Sequence, residues 1–167
     1  MIVTESELEY RRYAAFHEAG HALIAWHCGV YCCAWITYVP KYGTWSGGAK
    51  AGFLMSVFRG ACHTWGGLIA SELSDGTIDR SYLRGDDFDG LFDSMVYDPG
   101  MEVDCEQLEQ SGYLYRLRPV KVAARILDRR YDELCQAAAE LESSHFLESR
   151  VVISERFPMG RPLPPPK

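Results

Sequence analysis

The chain lacks any long apolar run, although 47% of its 167 residues are hydrophobic. No segment approaches the roughly 18 apolar residues that a membrane-spanning helix needs, so we expect no membrane span. Residues 1–12 are polar and acidic and do not have the pattern of a secretory signal peptide. The net charge is −6 and the lysines and arginines are scattered. This distribution argues against a nucleic-acid-binding surface.

The sequence also lacks two common motifs. Its six cysteines include no C-x-x-C pair, which argues against a cysteine zinc cluster. Free thiols without a secretion signal predict a reducing, cytoplasmic location. There is no G-x-x-x-x-G-K-[ST] motif, so the sequence contains no P-loop for ATP.

One motif is present that carries its own chemistry, the H-E-x-x-H sequence from His17 to His21. Residues four apart lie on one face of an α-helix, so His17 and His21 can direct two imidazoles at one metal ion. Glu18 lies about 100° around the helix, within reach of a water that the metal activates. Zinc held by two histidines and a carboxylate keeps a fourth position open. The motif therefore predicts a Zn²⁺-dependent hydrolase with Glu18 as its general base, most often a peptidase.

The surroundings of the motif favour a buried helix. Residues 5–28 contain no proline, and Thr4 with Glu7 forms a capping box at the start. Apolar residues occupy most sides of this helix, which is typical of a buried one. Histidines and a glutamate inside such a helix need polar partners, because unpaired polar groups there cost several kcal/mol, on the order of 2–7. A metal ion would supply those partners.

Along the chain, the pattern predicts a mainly α fold with a small β element, in one domain over 1–156. A Pro-rich tail over 157–167 is predicted to be disordered or extended. Helices are predicted at 1–28, 53–73, 86–96, 102–109 and 119–147, a strand at 31–39, a loop or wide hairpin at 40–50, and a turn at 98–100.

The segment from Tyr13 to Ile24 resembles the active-site helix of the FtsH-type zinc peptidases. The segment 36–43 is similar to the strand and Pro-Gly loop that follow this helix in the family, and 66–72 is similar to its Gly-rich helix. Residues 131–147 resemble its closing helices, so that the resemblance covers roughly 8–150. It implies an FtsH-peptidase-like helical domain with His17 and His21 as zinc ligands.

The family's third zinc ligand is an aspartate at the start of a helix, after a glycine-containing turn. Counting from Gly85 assigns this role to Asp89. Asp86, Asp87, Glu72 and the absence of a third protein ligand remain alternatives. Asp86 and Asp89 would also cap a helix and favour its dipole, which is compatible with ligation.

Four other residues are candidates for supporting roles. Glu72 either orients a zinc-bound histidine or is a solvated helix carboxylate. Thr37 and Tyr38, on the 31–39 strand, would hold an extended peptide by strand addition if that strand is an edge beside the zinc. His63 either assists the transition state or is an ordinary structural histidine. His27 lies about 240° around the helix from His21 and cannot share its face.

FtsH-type proteases also carry a membrane anchor and an AAA+ ATPase module, and this sequence contains neither. Leu68 and Ser71 replace an arginine and a glutamate that are common in the family. The resemblance therefore implies a stand-alone metallopeptidase acting on peptides or unfolded proteins, with further copies of the chain or a separate ATPase as partners. The rival hypotheses are a non-catalytic zinc-containing binding module and a metal-free scaffold. Glu18 favours the enzyme, because a purely structural zinc site has no need of it.

Overall fold

A computed structural model describes residues 5–52 and 55–151 of the chain. The helices are α1 (Glu5–His27), α2 (Val57–Asp75), α3 (Asp89–Tyr97), α4 (Glu102–Ser111), α5 (Leu117–Arg129) and α6 (Tyr131–Ser144). The strands are β1 (Cys32–Val39), β2 (Thr44–Ala51) and β3 (Phe146–Leu147). The prediction of a mainly helical chain with a small β element is confirmed. The predicted cap at Thr4 and the Pro-rich tail lie outside the described residues.

Helix α1 is the centre of the core. Its second half is almost entirely buried, and α2, α6 and the sheet all pack against it. The crossing of α1 and α2 is close because glycines face each other there. A Cβ on Gly20 would lie 2.6 Å from Ala70 Cβ, and one on Gly66 would lie 2.6 Å from Ile24 Cγ1. No side chain larger than hydrogen fits at this crossing, so the predicted Gly-rich segment of α2 is explained by packing.

The sheet is antiparallel, with the strand order β2-β1-β3. Strand β1 pairs with β2 along its whole length, from Cys32↔Ala51 to Val39↔Thr44, and with β3 only at Ala34 and Trp35. The segment predicted as a loop or wide hairpin over 40–50 is therefore a tight hairpin whose second arm is a full strand. Among the strands that the structure describes, β2, not the 31–39 strand, forms an edge of the sheet along its entire length.

The helix predicted over 119–147 is wrong, because the chain forms two helices there. Arg130 separates α5 from α6 with φ −113° and ψ 27°, outside the helical region. The apolar stripe of α5 packs against α2, whereas that of α6 packs against α1. Because the two helices pack against different neighbours, the chain changes direction between them. Arg130 forms an ion pair with Glu133 at this corner.

No helix in the described part of the chain is long and apolar enough to cross a membrane, in agreement with the prediction. All six cysteines are free thiols. The motif helix ends at His27, one residue before its predicted end, and its predicted start lies outside the described residues. Its histidines therefore lie on the most buried element of the fold.

Candidate metal centre

The two histidines of α1 meet at one point, as their spacing predicts. His17 Nε2 and His21 Nε2 lie 3.0 Å apart, with the rings at 84° to each other. His21 is 5% exposed. At most one proton can sit between two imidazole nitrogens that face each other in this way, so the arrangement is suited to a shared cation.

Asp104 brings a carboxylate to the same point. Its Oδ2 lies 3.3 Å from the Nε2 atoms of both His17 and His21. The three ligand atoms lie within 4.8 Å of one another, and the group can hold a metal ion. Asp104 Oδ2 and His17 Nδ1 are buried without a hydrogen-bond partner of good geometry. Two nitrogens and a carboxylate oxygen that converge in this way fit the donor set of a zinc site.

Asp89, predicted as the third ligand, does not reach this group. It is the first residue of α3, is exposed, and its backbone N–H donates to Asp87 Oδ1 at 3.1 Å. Asp86 is also exposed and pairs with Lys121. The carboxylate beside the histidines belongs to Asp104, so the prediction of Asp89 as the third ligand is corrected. The physical reason is that α3 directs its first turn to solvent, whereas α4 packs its first turn against the histidines.

The signal for Asp104 was present in the sequence. Asp104 lies four positions after Gly100, as Asp89 lies four positions after Gly85. Both glycines precede a predicted helix. The counting rule therefore selects either aspartate, and only the tertiary contacts distinguish them.

Glu18 lies in the wall between α1 and β2. It is 6% exposed, and a Cβ on Gly47 would lie 2.6 Å from its Cγ and 2.8 Å from its Oε1. Burial raises the pKa of Glu18, the positive charge of His17 and His21 opposes this rise, and Asp104 adds to it. A buried carboxyl with a raised pKa beside a cation site has the properties of a general base that must later give up its proton.

The backbone carbonyl of His63, on α2, orients His21. His21 Nδ1 donates to it at 2.8 Å, and because a carbonyl oxygen only accepts, the proton of neutral His21 is on Nδ1. Nε2 is then free to bind a metal. Such partners fix the ring and tautomer of metal-bound histidines. The His63 ring also stacks on His21 with 4.7 Å between centroids.

Glu72, predicted as a candidate for this orienting role, lies elsewhere. It is buried further along α2 and hydrogen-bonds to Ser94 and Thr77. Burial raises its pKa, and these two hydrogen bonds oppose the rise. The hydrogen-bond partner of His21 is the backbone carbonyl of His63. A backbone group of this kind leaves no signal in the pattern of polar side chains.

The charges of His21, Asp104, Glu18 and His63 strongly influence one another. Burial alone would lower the pKa of His21, but Asp104, with smaller contributions from Glu18 and the His63 carbonyl, raises it to about 9. Burial would raise the pKa of Asp104, whereas His21 and His17 hold it well below its usual range. Burial and the charge of His21 lower the pKa of His63 to about 3. A proton on His21 thus occupies the place that suits a divalent cation.

A cavity of about 640 Å³ opens over the group. Its walls come from β2 and from the first turns of α4, and His17, Glu18, His21 and Asp104 line its floor. Thr37 and Tyr38 do not line it, because β1 is covered by β2 on this side. The strand available to an extended ligand is therefore β2, and the predicted substrate strand is corrected accordingly.

In comparisons with models of known protein families and with curated proteins, nothing matches this chain.

Proposed function

We propose that the chain is a zinc-dependent metallopeptidase that hydrolyses peptide bonds in unfolded or partner-delivered chains. The observation that carries this proposal is the convergence of His17, His21 and Asp104 beside a buried Glu18, under an edge strand. The resemblance to FtsH-type peptidases supports it through the helix motif. In the described part of the chain β2 is an edge strand, and an edge strand next to a candidate metal centre is the arrangement that a peptidase needs to hold an extended substrate.

Zinc, when bound, supplies Lewis acidity that polarises a carbonyl and acidifies water. Glu18 accepts one proton from the attacking water as its oxygen adds to the peptide carbonyl carbon. It then donates that proton to the amide nitrogen as the C–N bond breaks, which releases an amine and a carboxylic acid. The acid gives its remaining proton to the amine, so that the products are a carboxylate and an ammonium ion. Burial raises the pKa of Glu18, which favours its uptake of the proton from water and its holding of that proton until the amine leaves.

Strand β2 would align the substrate. Gly47 lets the strand lie close to Glu18, and Gly48 lies against the Trp35 ring. A peptide backbone would pair with the edge of β2 through main-chain hydrogen bonds. The scissile bond would then lie over Glu18 and the two histidines.

The substrate must arrive unfolded. A folded domain is stable by roughly 5–15 kcal/mol and keeps its backbone in its own secondary structure. The sequence has no P-loop that could drive unfolding. Short peptides, denatured proteins or chains delivered by a separate ATPase are the substrates that fit.

The rival hypothesis is a binding module that holds zinc and a peptide without cleavage. It requires the same three ligands and the same edge strand, but gives no role to Glu18. A buried, ionisable side chain with no function is costly, on the order of several kcal/mol when charged and unpaired. The position of Glu18 therefore favours the peptidase.

The test is the Glu18→Gln variant, compared with Glu9→Gln at an exposed position of the same helix. We expect both variants to keep the zinc content of the wild type. Glu18→Gln should lose about 10²–10⁴-fold in hydrolysis of a denatured, casein-like substrate, because an amide cannot accept the proton. Glu9→Gln should cleave at the wild-type rate, and a chelator should stop both.

Three results would count against the proposal. Full activity in Glu18→Gln would remove Glu18 from the chemistry. Tight, zinc-dependent binding of the denatured substrate by the wild type without cleavage, across several metals and pH values, would establish the binding module instead. Cleavage of a native protein at the rate of its denatured form would contradict the requirement for an unfolded substrate.

A further inference from the structure

A second cavity of about 320 Å³ lies next to the first. The two cavities share His63 and Gln107 in their walls. His63 stacks on His21, so the second cavity begins one ring away from the candidate metal centre. The two cavities are therefore adjacent, and the pair of them is called the groove below.

The walls of this groove continue from one cavity to the other. On α4, Asp104 lines the first cavity, Gln107 lines both and Ser111 lines the second. Their spacing of three and four residues places them on one face of the helix. On the opposite wall, β2 lines the first cavity from Thr44 to Ala49 and the second at Ala51. An extended chain along β2 therefore passes both cavities.

The chemistry of the second cavity differs from that of the first. Among the described residues, no Asp, Glu, Lys or Arg lines it. Its apolar surface comes from Ala51, Met55, Val57 and Ala61. The Thr64 hydroxyl donates to Gln107 Oε1 at 3.5 Å, so two of its polar groups already contact each other. Among the described residues that line it, none carries a charge opposite to that of a carboxylate or an ammonium group, so a charged side chain would lose hydration there without a counter-charge. An aliphatic side chain would bury its surface.

We propose that the second cavity is a specificity pocket for an aliphatic side chain of the substrate, which rests on the proposed peptidase function. Gly47 lies beside Glu18, and Ala51 lines the pocket four residues further along β2, roughly 13 Å away at about 3.3 Å per residue. A peptide beside β2 advances at the same rate. The selected side chain therefore lies two to four residues from the scissile bond.

Gly60 offers a way to fill the pocket without disturbing the fold. It lines the second cavity, and a Cβ built on it meets nothing within 4 Å. It is inside α2, where leucine has a higher helix propensity than glycine. Gly90→Leu is the matched control. Gly90 is exposed on α3, its Cβ would meet only Tyr82 Oη at 3.9 Å, and it lines neither cavity.

The experiment measures peptide binding, so that it does not depend on turnover. Zinc-loaded Glu18→Gln protein is titrated with fluorescein-labelled ten-residue peptides of alanine and serine in which one leucine, or one aspartate, moves along the chain. We expect leucine to bind about tenfold more tightly than aspartate at one position only, as burial of one aliphatic side chain implies. Adding Gly60→Leu should abolish that preference and leave unaffected the binding of the parent alanine-serine peptide, which has neither leucine nor aspartate. Adding Gly90→Leu should change neither.

A preference that survives Gly60→Leu, or no preference at any position, would overturn the pocket. Cleavage-site mapping with the wild type then separates the two proposals. If the pocket selects leucine in the binding assay but the wild type cleaves none of these peptides, the pocket stands and the peptidase function fails. If the wild type cleaves these peptides but shows no preference for leucine at that position, the peptidase function stands and the pocket fails.

Discussion

Asp89 and Asp104 have nearly the same local setting and different roles. Each lies in the first turn of a helix, four residues after a glycine. Asp89 is exposed, and Asp104 is 9% exposed with its Oδ2 3.3 Å from two histidines. A helix start attracts an acidic residue in both cases through the helix dipole. The comparison teaches that an aspartate in this local setting becomes a candidate ligand only where tertiary packing places it next to the histidines.

The largest expected effect separates these two aspartates directly. Asp104→Asn should lose most of the bound zinc, with Kd raised by more than the roughly 10–100-fold that outer partners contribute. Asp89→Asn should leave zinc affinity unchanged, because its side chain is exposed at the start of α3. Elemental analysis and competition with a chelator measure both. The opposite ranking would restore Asp89 as the third ligand and refute the geometry described above.

A second test concerns the packing around the histidines rather than the aspartates. Gly67 lies on α2, where a Cβ would clash with His21 Nε2 and lie 2.9 Å from His17 Cε1. Gly67→Ala should therefore lower stability by about 1–3 kcal/mol and weaken zinc binding by about tenfold or more. Gly60→Ala is the control, since its Cβ meets open space and should raise helix stability. Denaturant unfolding with and without zinc measures the difference. If zinc affinity is the same in both variants, close packing does not hold the two rings in place.

A smaller effect is expected where α1 is tied to the turn before α4. The Tyr13 hydroxyl donates to Asp98 Oδ2 at 3.1 Å, and Asp98 Oδ1 accepts from the Gly100 N–H at 2.8 Å. Burial, with a further contribution from Asp98, raises the pKa of Tyr13, so it remains a donor throughout the neutral range. Tyr13→Phe should cost about 1 kcal/mol of stability and raise the zinc Kd by up to about tenfold, because the segment that leads to Asp104 is less well held.

The control for this variant is Tyr10→Phe, at an exposed position of the same helix. It should change neither stability nor zinc binding. Equal zinc affinity in Tyr13→Phe and the wild type would show that Asp104 is held by α4 alone.

The smallest effect is expected for Glu72, which lies on α2 and contacts Ser94 on α3. Burial raises the pKa of Glu72 above its value in the unfolded chain. Folding therefore favours the protonated form of Glu72. Its contribution to the free energy of unfolding is present at acidic pH and is lost as pH rises through the pKa of the folded state. Glu72→Gln, which mimics the protonated form, should be slightly more stable than the wild type at pH 7, with the difference shrinking as pH falls toward 4. Zinc content should not change. Urea unfolding at several pH values measures the effect, and a difference that grows on acidification would contradict the sign.

The parts of the site that depend on local sequence could be predicted. The four-residue spacing of His17 and His21 fixes their common face, and an apolar helix around them predicts burial. The sequence could not choose between Asp89 and Asp104, because helix starts with the same spacing differ only in what packs against them. The sequence also could not predict the helix break at Arg130, because the apolar spacing continues from α5 into α6. The break follows from tertiary packing, since the two helices contact different neighbours.

Strand β2 shows a further limit. Its sequence contains Gly47 and Gly48, which disfavour a strand on propensity alone. In the fold these glycines admit Glu18 on one side and Trp35 on the other, since a Cβ on Gly48 would lie 2.7 Å from Trp35 Cζ2. Close tertiary approach overrides local preference here, and no window of sequence contains that information.

Helix α1 supplies both the most buried part of the core and two of the three converging ligand atoms. Loading and folding are then thermodynamically linked, because the unfolded chain does not hold the two imidazoles at one point. An ion present at about 100 times its Kd would add roughly 2.7 kcal/mol to the free energy of unfolding, a sizeable share of what a domain normally has. The abundance of the folded chain in a cell would then follow the supply of the ion, and scarcity of the metal would expose the protein to degradation.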